Sequence, residues 1–216
     1  MNIKGIVFDL DGTLADSAID MAESMNQVLK EQNLPVHDID TYKQFAGNGI
    51  HKLIERALPE NLRTGDAFTK NANRMLAIYG ENCINKTKLY PGIADLLDLL
   101  QERDIKIAVL SNKLDELTQK VIKVLLANWN VTFATGTSST VNRKPNPQGA
   151  LLAAEKMGFT PKDMMLVGDS EADMETAKNA GMLGVGVLWG FRSADELKAS
   201  GAQLIISKAT DLINHL

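Results

Sequence analysis

Polar clusters end or follow four of this chain's short apolar runs, and each cluster carries side chains able to handle an anion or a cation. The first run stops in Asp9-Leu10-Asp11-Gly12-Thr13. The run 105–110 stops in Ser111-Asn112-Lys113, and 164–167 stops in Gly168-Asp169-Ser170, with Asp173 four residues after Asp169. The run 131–134 is followed, after a polar loop, by Arg143-Lys144-Pro145. If these clusters meet, Asp9, Asp11 and Asp169 crowd three carboxylates into one crevice, with Asp173 close behind. Like charges at such range do not all ionise without a cation. Oxygen donors select a hard metal, and an open site with few carboxylates suits Mg²⁺, which keeps waters and takes phosphate oxygens. Lys144 adds a positive charge for an anionic ligand. Ser111 and Asn112, with a helix expected to follow, offer a hydroxyl and backbone N–H donors at a helix N-terminus, a seat for phosphate.

The chemistry open to such a set is narrow. A carboxylate held against a metal-bound phosphate can act as nucleophile and form an acyl phosphate. A second carboxylate two residues on can protonate the departing alkoxide and then deprotonate the water that releases phosphate. Positioning and charge neutralisation do most of the work in such reactions.

What must position these residues is a layered α/β fold. Apolar, β-branched runs at 3–10, 105–110, 131–134, 164–167, 185–188 and 204–206 read as strands. Ile93, Leu96, Leu97 and Leu100 form one helical face, and Leu117, Val121, Val124 and Leu125 another. Pro91 and Pro147 sit where helices should begin, and Gly158 and Gly181 just past helix ends. Alternation predicts a Rossmann-like, mainly parallel sheet with helices on both faces. All strand ends then lie on one edge, where open α/β folds bind ligands. Residues 15–84 break the alternation, with helical spacing and no convincing strand: Ile19, Met21, Met25, Val28 and Leu29, then Ile50, Leu53, Ile54, Ala57 and Leu58. An insert of that size is no ordinary crossover. The expected division is a core of 1–14 and 87–216 and a small helical domain of 15–86, with hinges near 14–17 and 86–90.

Composition bounds the partners. A 216-residue chain that is 44% hydrophobic and 23% charged is ordinary for a globular enzyme, and its net charge of −4, without a dense Lys/Arg run, argues against nucleic acid. Cys83 is the single cysteine, so no internal disulfide forms and a reducing cytoplasm fits. Residues 1–10 do not read as a signal or transit peptide, and no run reaches the ~18 apolar residues of a membrane span. A cytoplasmic protein, a monomer or weak homodimer without a membrane partner, is expected.

Together the motifs Asp9-Leu10-Asp11-Gly12-Thr13-Leu14, Ser111-Asn112, Lys144-Pro145 and Gly168-Asp169-Ser170-Glu171-Ala172-Asp173 resemble the four ordered motifs of the haloacid dehalogenase superfamily. The resemblance spans nearly the whole chain, and the helical insert is similar to that family's small cap. It implies that Asp9 is nucleophile and metal ligand. Asp11 would be the acid/base, with its backbone carbonyl also on Mg²⁺. Ser111, Asn112 and Lys144 would hold phosphate, Asp169 would bind the metal, and Asp173 would act behind them. Gly47-Asn48-Gly49 with Leu53 and Arg56-Ala57-Leu58, Lys144-Pro145-Asn146-Pro147, and Trp189-Gly190-Phe191-Arg192-Ser193 resemble phosphoglycolate phosphatases more closely. A small phosphorylated metabolite is the implied partner, and Gly47, Asn48 and Gly49 are candidates for specificity.

Related chemistries stay open at this point: sugar-phosphate hydrolysis, pyrophosphate hydrolysis, or a β-phosphoglucomutase-type phosphomutase. A receiver-like phospho-switch shares the acidic cluster, hydroxyl and lysine, but needs no insert to exclude water. A calcium loop at Asp9 would need Gly and Glu where Leu14 and Asp20 stand. Of the histidines, His37 (in a polar turn) and His215 read as bystanders, and only His51 could meet a substrate.

Overall fold

The computed structural model describes residues 3–216; residues 1 and 2 of the expected core segment lie outside them. In chain order the elements are β1 (Gly5–Phe8), β2 (Ala15–Asp16), α1 (Ala18–Glu31), α2 (Ile39–Phe45), α3 (Ile50–Ala57), α4 (Gly65–Asn82) and β3 (Lys88–Leu89). There follow α5 (Ile93–Glu102), β4 (Lys106–Leu114), α6 (Asp115–Leu125), β5 (Val131–Thr137), α7 (Gln148–Met157), β6 (Met164–Gly168), α8 (Glu171–Ala180), β7 (Leu183–Val187), α9 (Ala194–Ala199) and β8 (Leu204–Ile206).

Every strand expected from the apolar runs forms, and the six join one sheet in the order β5-β4-β1-β6-β7-β8. All pairings in it are parallel. Period-2 alternation sorts the side chains into two layers. Ile6, Phe8, Ile107, Val109, Met165 and Val167 enter one apolar cluster, while Val7, Ala108, Leu110, Met164 and Leu166 enter the other. Helices α7 and α8 supply Ala150, Ala153, Ala154, Met157, Ala177 and Ala180 to the second layer. Both faces are therefore buried, as near-continuous apolar strands require. Gly158 and Gly181 end α7 and α8 in the left-handed region, with φ of 77° and 73°.

Central β1 is flanked in register by β4 and β6: Phe8 lies beside Val109 and Val167. The chain leaves β1 toward β4 and β5, then returns to β6 on the other side. This reversal opens a crevice beyond the carboxyl ends of the strands. Between β2 and β3 the chain forms four α-helices and a short 3-10 turn, with no strand. The two crossings pair antiparallel, Ala15 beside Leu89 and Asp16 beside Lys88. Buried Asp20 on α1 ties the return crossing, accepting bonds from the backbone N–H of Lys86 and Thr87 and from the Thr87 hydroxyl.

Two local readings need correction. The segment after Ser111 is not yet helix: β4 continues to Leu114 and α6 starts only at Asp115. The reason is a bulge. Leu110 pairs with Thr135 and Leu114 with Thr137, so Ser111, Asn112 and Lys113 oppose the single residue Gly136. A Cβ on Gly136 would collide with the Lys113 carbonyl, so glycine is required there. His37 is not in a merely polar turn. Its ring packs edge-on against Tyr42 and Phe45, and Nε2 bonds the Ala57 carbonyl at 2.9 Å, because α2 and α3 close over it.

Candidate active site

Asp9 immediately follows β1, and its backbone N–H still donates to Val167 of β6. Beyond it the chain winds around one acceptor: the N–H groups of Thr13, Leu14 and Ala15 all donate to the Leu10 carbonyl. Gly12 takes φ +88°, and a Cβ there would strike the Asp169 carboxylate. This turn brings Asp9, Thr13 and Asp169 together.

The four distant clusters meet on one edge of the sheet. Lys144, with a side chain 2% exposed, uses all three of its N–H donors. It donates to Asp9 Oδ1 at 2.6 Å, Asp173 Oδ1 at 2.6 Å and the Leu110 carbonyl at 3.0 Å. Asp173 divides its two oxygens. Oδ2 accepts from the Ser170 N–H and hydroxyl at 3.0 and 2.6 Å, capping α8, while Oδ1 faces Lys144. Thr13 donates to Asp169 Oδ1 at 3.1 Å, and the Phe191 N–H donates to its Oδ2 at 2.8 Å. Asn112 accepts from the Lys144 N–H at 2.7 Å. It also donates to the Gly47 carbonyl at 3.3 Å. Ser111 is buried, its hydroxyl accepting from the Lys113 N–H.

Carboxylate oxygens of Asp9, Asp169 and Asp173 lie within 4.8 Å of one another. The Asp11 side chain stands apart from that group. Its Oδ1 accepts from Lys113 Nζ at 2.5 Å and Ser17 Oγ at 2.6 Å. Burial raises the Asp9 carboxyl well above its ordinary range; Asp173 and Asp169 raise it further and Lys144 only partly offsets them. Asp169 is pushed up to about 7 by burial, then by Asp173. For Lys144 and Lys113 burial opposes the charge, but the facing groups more than reverse it, so both ammoniums are held above the usual range.

A cavity opens between this edge and the helices. Its polar lining is Asp9, Asp11, Ser111, Asn112, Lys113 and Tyr79; its apolar lining includes Met21, Ile50, Leu53, Leu114 and Leu117. Gly47 and Gly49 also line it. Asn48 and His51 border an outer groove with Lys52, Arg56 and Arg143 instead. Asn48 is occupied on both sides, its Oδ1 by Arg56 and its carbonyl by Arg143.

Several participants were not foreseen from the sequence. Lys113 was visible only as the end of an apolar run, and the bulge is what turns it inward. Tyr79 looks like any core aromatic on α4. The 189–192 loop is a third case. Trp189 donates to the Thr13 carbonyl, Phe191 N–H meets Asp169, and Arg192 donates to the carbonyls of Lys43 and Ala46 at 3.1 and 2.8 Å. The sequence marks that stretch as a motif, but nothing in it tells which groups it bridges.

The family model of haloacid dehalogenase-like hydrolases matches residues 6–187. The phosphoglycolate phosphatase of Aquifex aeolicus is 34% identical, covering 99% of each chain. That of Escherichia coli K12 is 31% identical, over 98% of this chain and 92% of its own. The crystal structure of a predicted phosphoglycolate phosphatase from Haemophilus somnus superposes with a TM-score of 0.90 at 30% identity, covering 100% of this chain and 98% of that one. The chain belongs to the haloacid dehalogenase-like hydrolase family. Within that family it is a phosphatase. Among the described residues no helix is long and apolar enough to cross a membrane.

Proposed function

We propose that the protein is a Mg²⁺-dependent phosphatase of small phosphate monoesters, with phosphoglycolate its preferred substrate, working through an aspartyl phosphate on Asp9. One observation carries the reading. Three clustered carboxylates (Asp9, Asp169, Asp173) face one ammonium group (Lys144) at one enclosed edge, leaving two negative charges that a divalent cation would balance. The all-oxygen donor set fits a hard cation, and Asp9, Asp169 and the Asp11 carbonyl are the groups that would hold it. When bound, such an ion neutralises phosphate charge. The substrate assignment rests on the names of relatives at 30–34% identity.

In the first half-reaction a carboxylate oxygen of Asp9 attacks phosphorus, the ester P–O bond breaks, and Asp11 gives its proton to the leaving oxygen. Asp11 then takes a proton from water, which attacks phosphorus and releases phosphate from Asp9. Lys144, Ser111 and Asn112 hold the phosphoryl oxygens, and Asp173 keeps Lys144 in place. Residues 15–86 act as a lid on a core of 1–14 and 87–216, with Gly47, Asn48 and Gly49 shaping the entrance. The enzyme works in the cytoplasm as a monomer or weak homodimer.

A panel of phosphoglycolate, sugar phosphates and pyrophosphate, assayed with and without chelator, tests this. Phosphate release should require Mg²⁺, and phosphoglycolate should have the highest kcat/KM. Asp9→Asn should abolish turnover. Chelator-insensitive release, or an Asp9→Asn enzyme near wild type, would sink the mechanism. A different best ester would displace the substrate alone.

A further inference from the structure

The reaction as drawn leaves one buried charge without a task. Lys113 has a side chain only 3% exposed, and burying an ammonium is unfavourable unless it is paired. Its partners are Asp11 Oδ1 at 2.5 Å and the Tyr79 hydroxyl at 2.8 Å. Ser17, next to the outgoing crossing β2, donates to the same Oδ1 at 2.6 Å. Among the described residues Oδ2 of Asp11 has no protein partner, and Asp11, Lys113 and Tyr79 all border the cavity.

We propose that Lys113 is a positioning residue for Asp11, clamping Oδ1 so that Oδ2 is the oxygen that exchanges protons with the substrate, and that Tyr79 makes the clamp depend on the lid. An oxygen accepting two hydrogen bonds is poorly placed to carry a proton; the other then carries it. The transferred proton therefore leaves Oδ2 for the ester oxygen as the P–O bond breaks. Sheet, crossing and helical insert each contribute one of the groups around Oδ1: Lys113, Ser17 and, through Lys113, Tyr79 of α4. When α4 lies away from the edge, Lys113 loses its second partner and Asp11 is less firmly held. Proton transfer is thereby tied to a closed cavity. The inference rests on Asp11 being the proton carrier.

Leaving-group dependence separates positioning from a structural role. The enzyme is assayed with Mg²⁺ on two alkyl esters, phosphoglycolate and glycerol 3-phosphate, and on 4-nitrophenyl phosphate, whose phenolate departs without a proton. The parameter kcat/KM reports events up to leaving-group departure. Lys113→Met should lower it about 10²-fold for the alkyl esters, and by no more than about threefold for the aryl ester. A burst of about one equivalent of nitrophenolate should precede slow dephosphorylation. Tyr79→Phe should shift the alkyl-to-aryl ratio the same way by a smaller factor. Equal losses on both ester types, or no loss on either, would overturn the proposal. If Lys113→Met does not fold, Tyr79→Phe decides, and a wild-type ratio there overturns it. Wild-type protein releasing phosphate from none of the three esters would refute the phosphatase reading. An Asp11→Asn enzyme with equal losses in kcat/KM on both ester types would refute Asp11 as proton carrier.

Discussion

Lys144 joins groups that would otherwise repel. With its three donors engaged by Asp9, Asp173 and the Leu110 carbonyl, it is both the counter-charge of the nucleophile candidate and a strut between β1, β4 and α8. Removing one partner from a buried ion pair typically costs about 3–5 kcal/mol, because the remaining charge is stranded. Lys144→Met should therefore lower unfolding free energy at pH 7 by about that amount, measured by denaturant titration. The loss should shrink at pH 5, because Asp9 is already held above the usual range and more readily takes up a proton there. The residues around this strut were legible because each follows an apolar run that had to be a strand. Lys113 was not: its inward turn depends on a bulge set by Gly136 on another strand, which no local pattern reports.

The loop 189–192 connects three parts of the site. Arg192 donates to carbonyls in the last turn of α2 and just beyond it, which have no helical partner and form the negative end of the helix dipole. Asn112 and Arg143 hold the next carbonyls, those of Gly47 and Asn48. Arg192→Ala should free segment 43–49 while leaving the sheet intact. Hydrogen exchange should speed up in that segment and not in β1 or β6, and KM should rise by several-fold, on the order of 1 kcal/mol of lost closure. Unchanged exchange would mean the arginine contributes nothing to closure. Strands and most helices could be read from periodicity, which is local. The ribbon of β2 with β3 and the reach of Arg192 are contacts across some 70 and 150 positions, and periodicity is blind to those.

For the whole molecule, the acidic edge sets a dependence on pH. Asp169 is held at about 7 against an ordinary 3.8, and Asp9 is raised as well. A carboxyl whose folded pKa is raised binds more protons folded than unfolded between the two values, so stability falls as pH rises through that window. For Asp169 the penalty is absent below about pH 4 and grows until the pH has passed about 7; for Asp9 it acts in the same direction. Glu31, Asp38, Glu55 and Glu196 are shifted the other way, and their contribution changes only at lower pH. Metal-free protein should thus have a lower Tm at pH 7.5 than at pH 5. Mg²⁺, binding the ionised carboxylates, should raise Tm more at pH 7.5 than at pH 5. Equal Mg²⁺ shifts at both values would argue that these carboxylates do not hold the ion.

The antiparallel pairing of β2 with β3 has a consequence for how such a protein can diversify. The two ends of the helical insert leave and re-enter the sheet side by side, Asp16 beside Lys88. A strand pair of this kind can be joined by a tight turn as readily as by a long excursion. The sheet's connectivity is therefore indifferent to what is spliced between them. An ancestor could exchange one insert for another, longer or shorter, without disturbing the register that aligns Asp9 with Lys144 and Asp169. Selectivity and bond-breaking chemistry could then be inherited as separate parts.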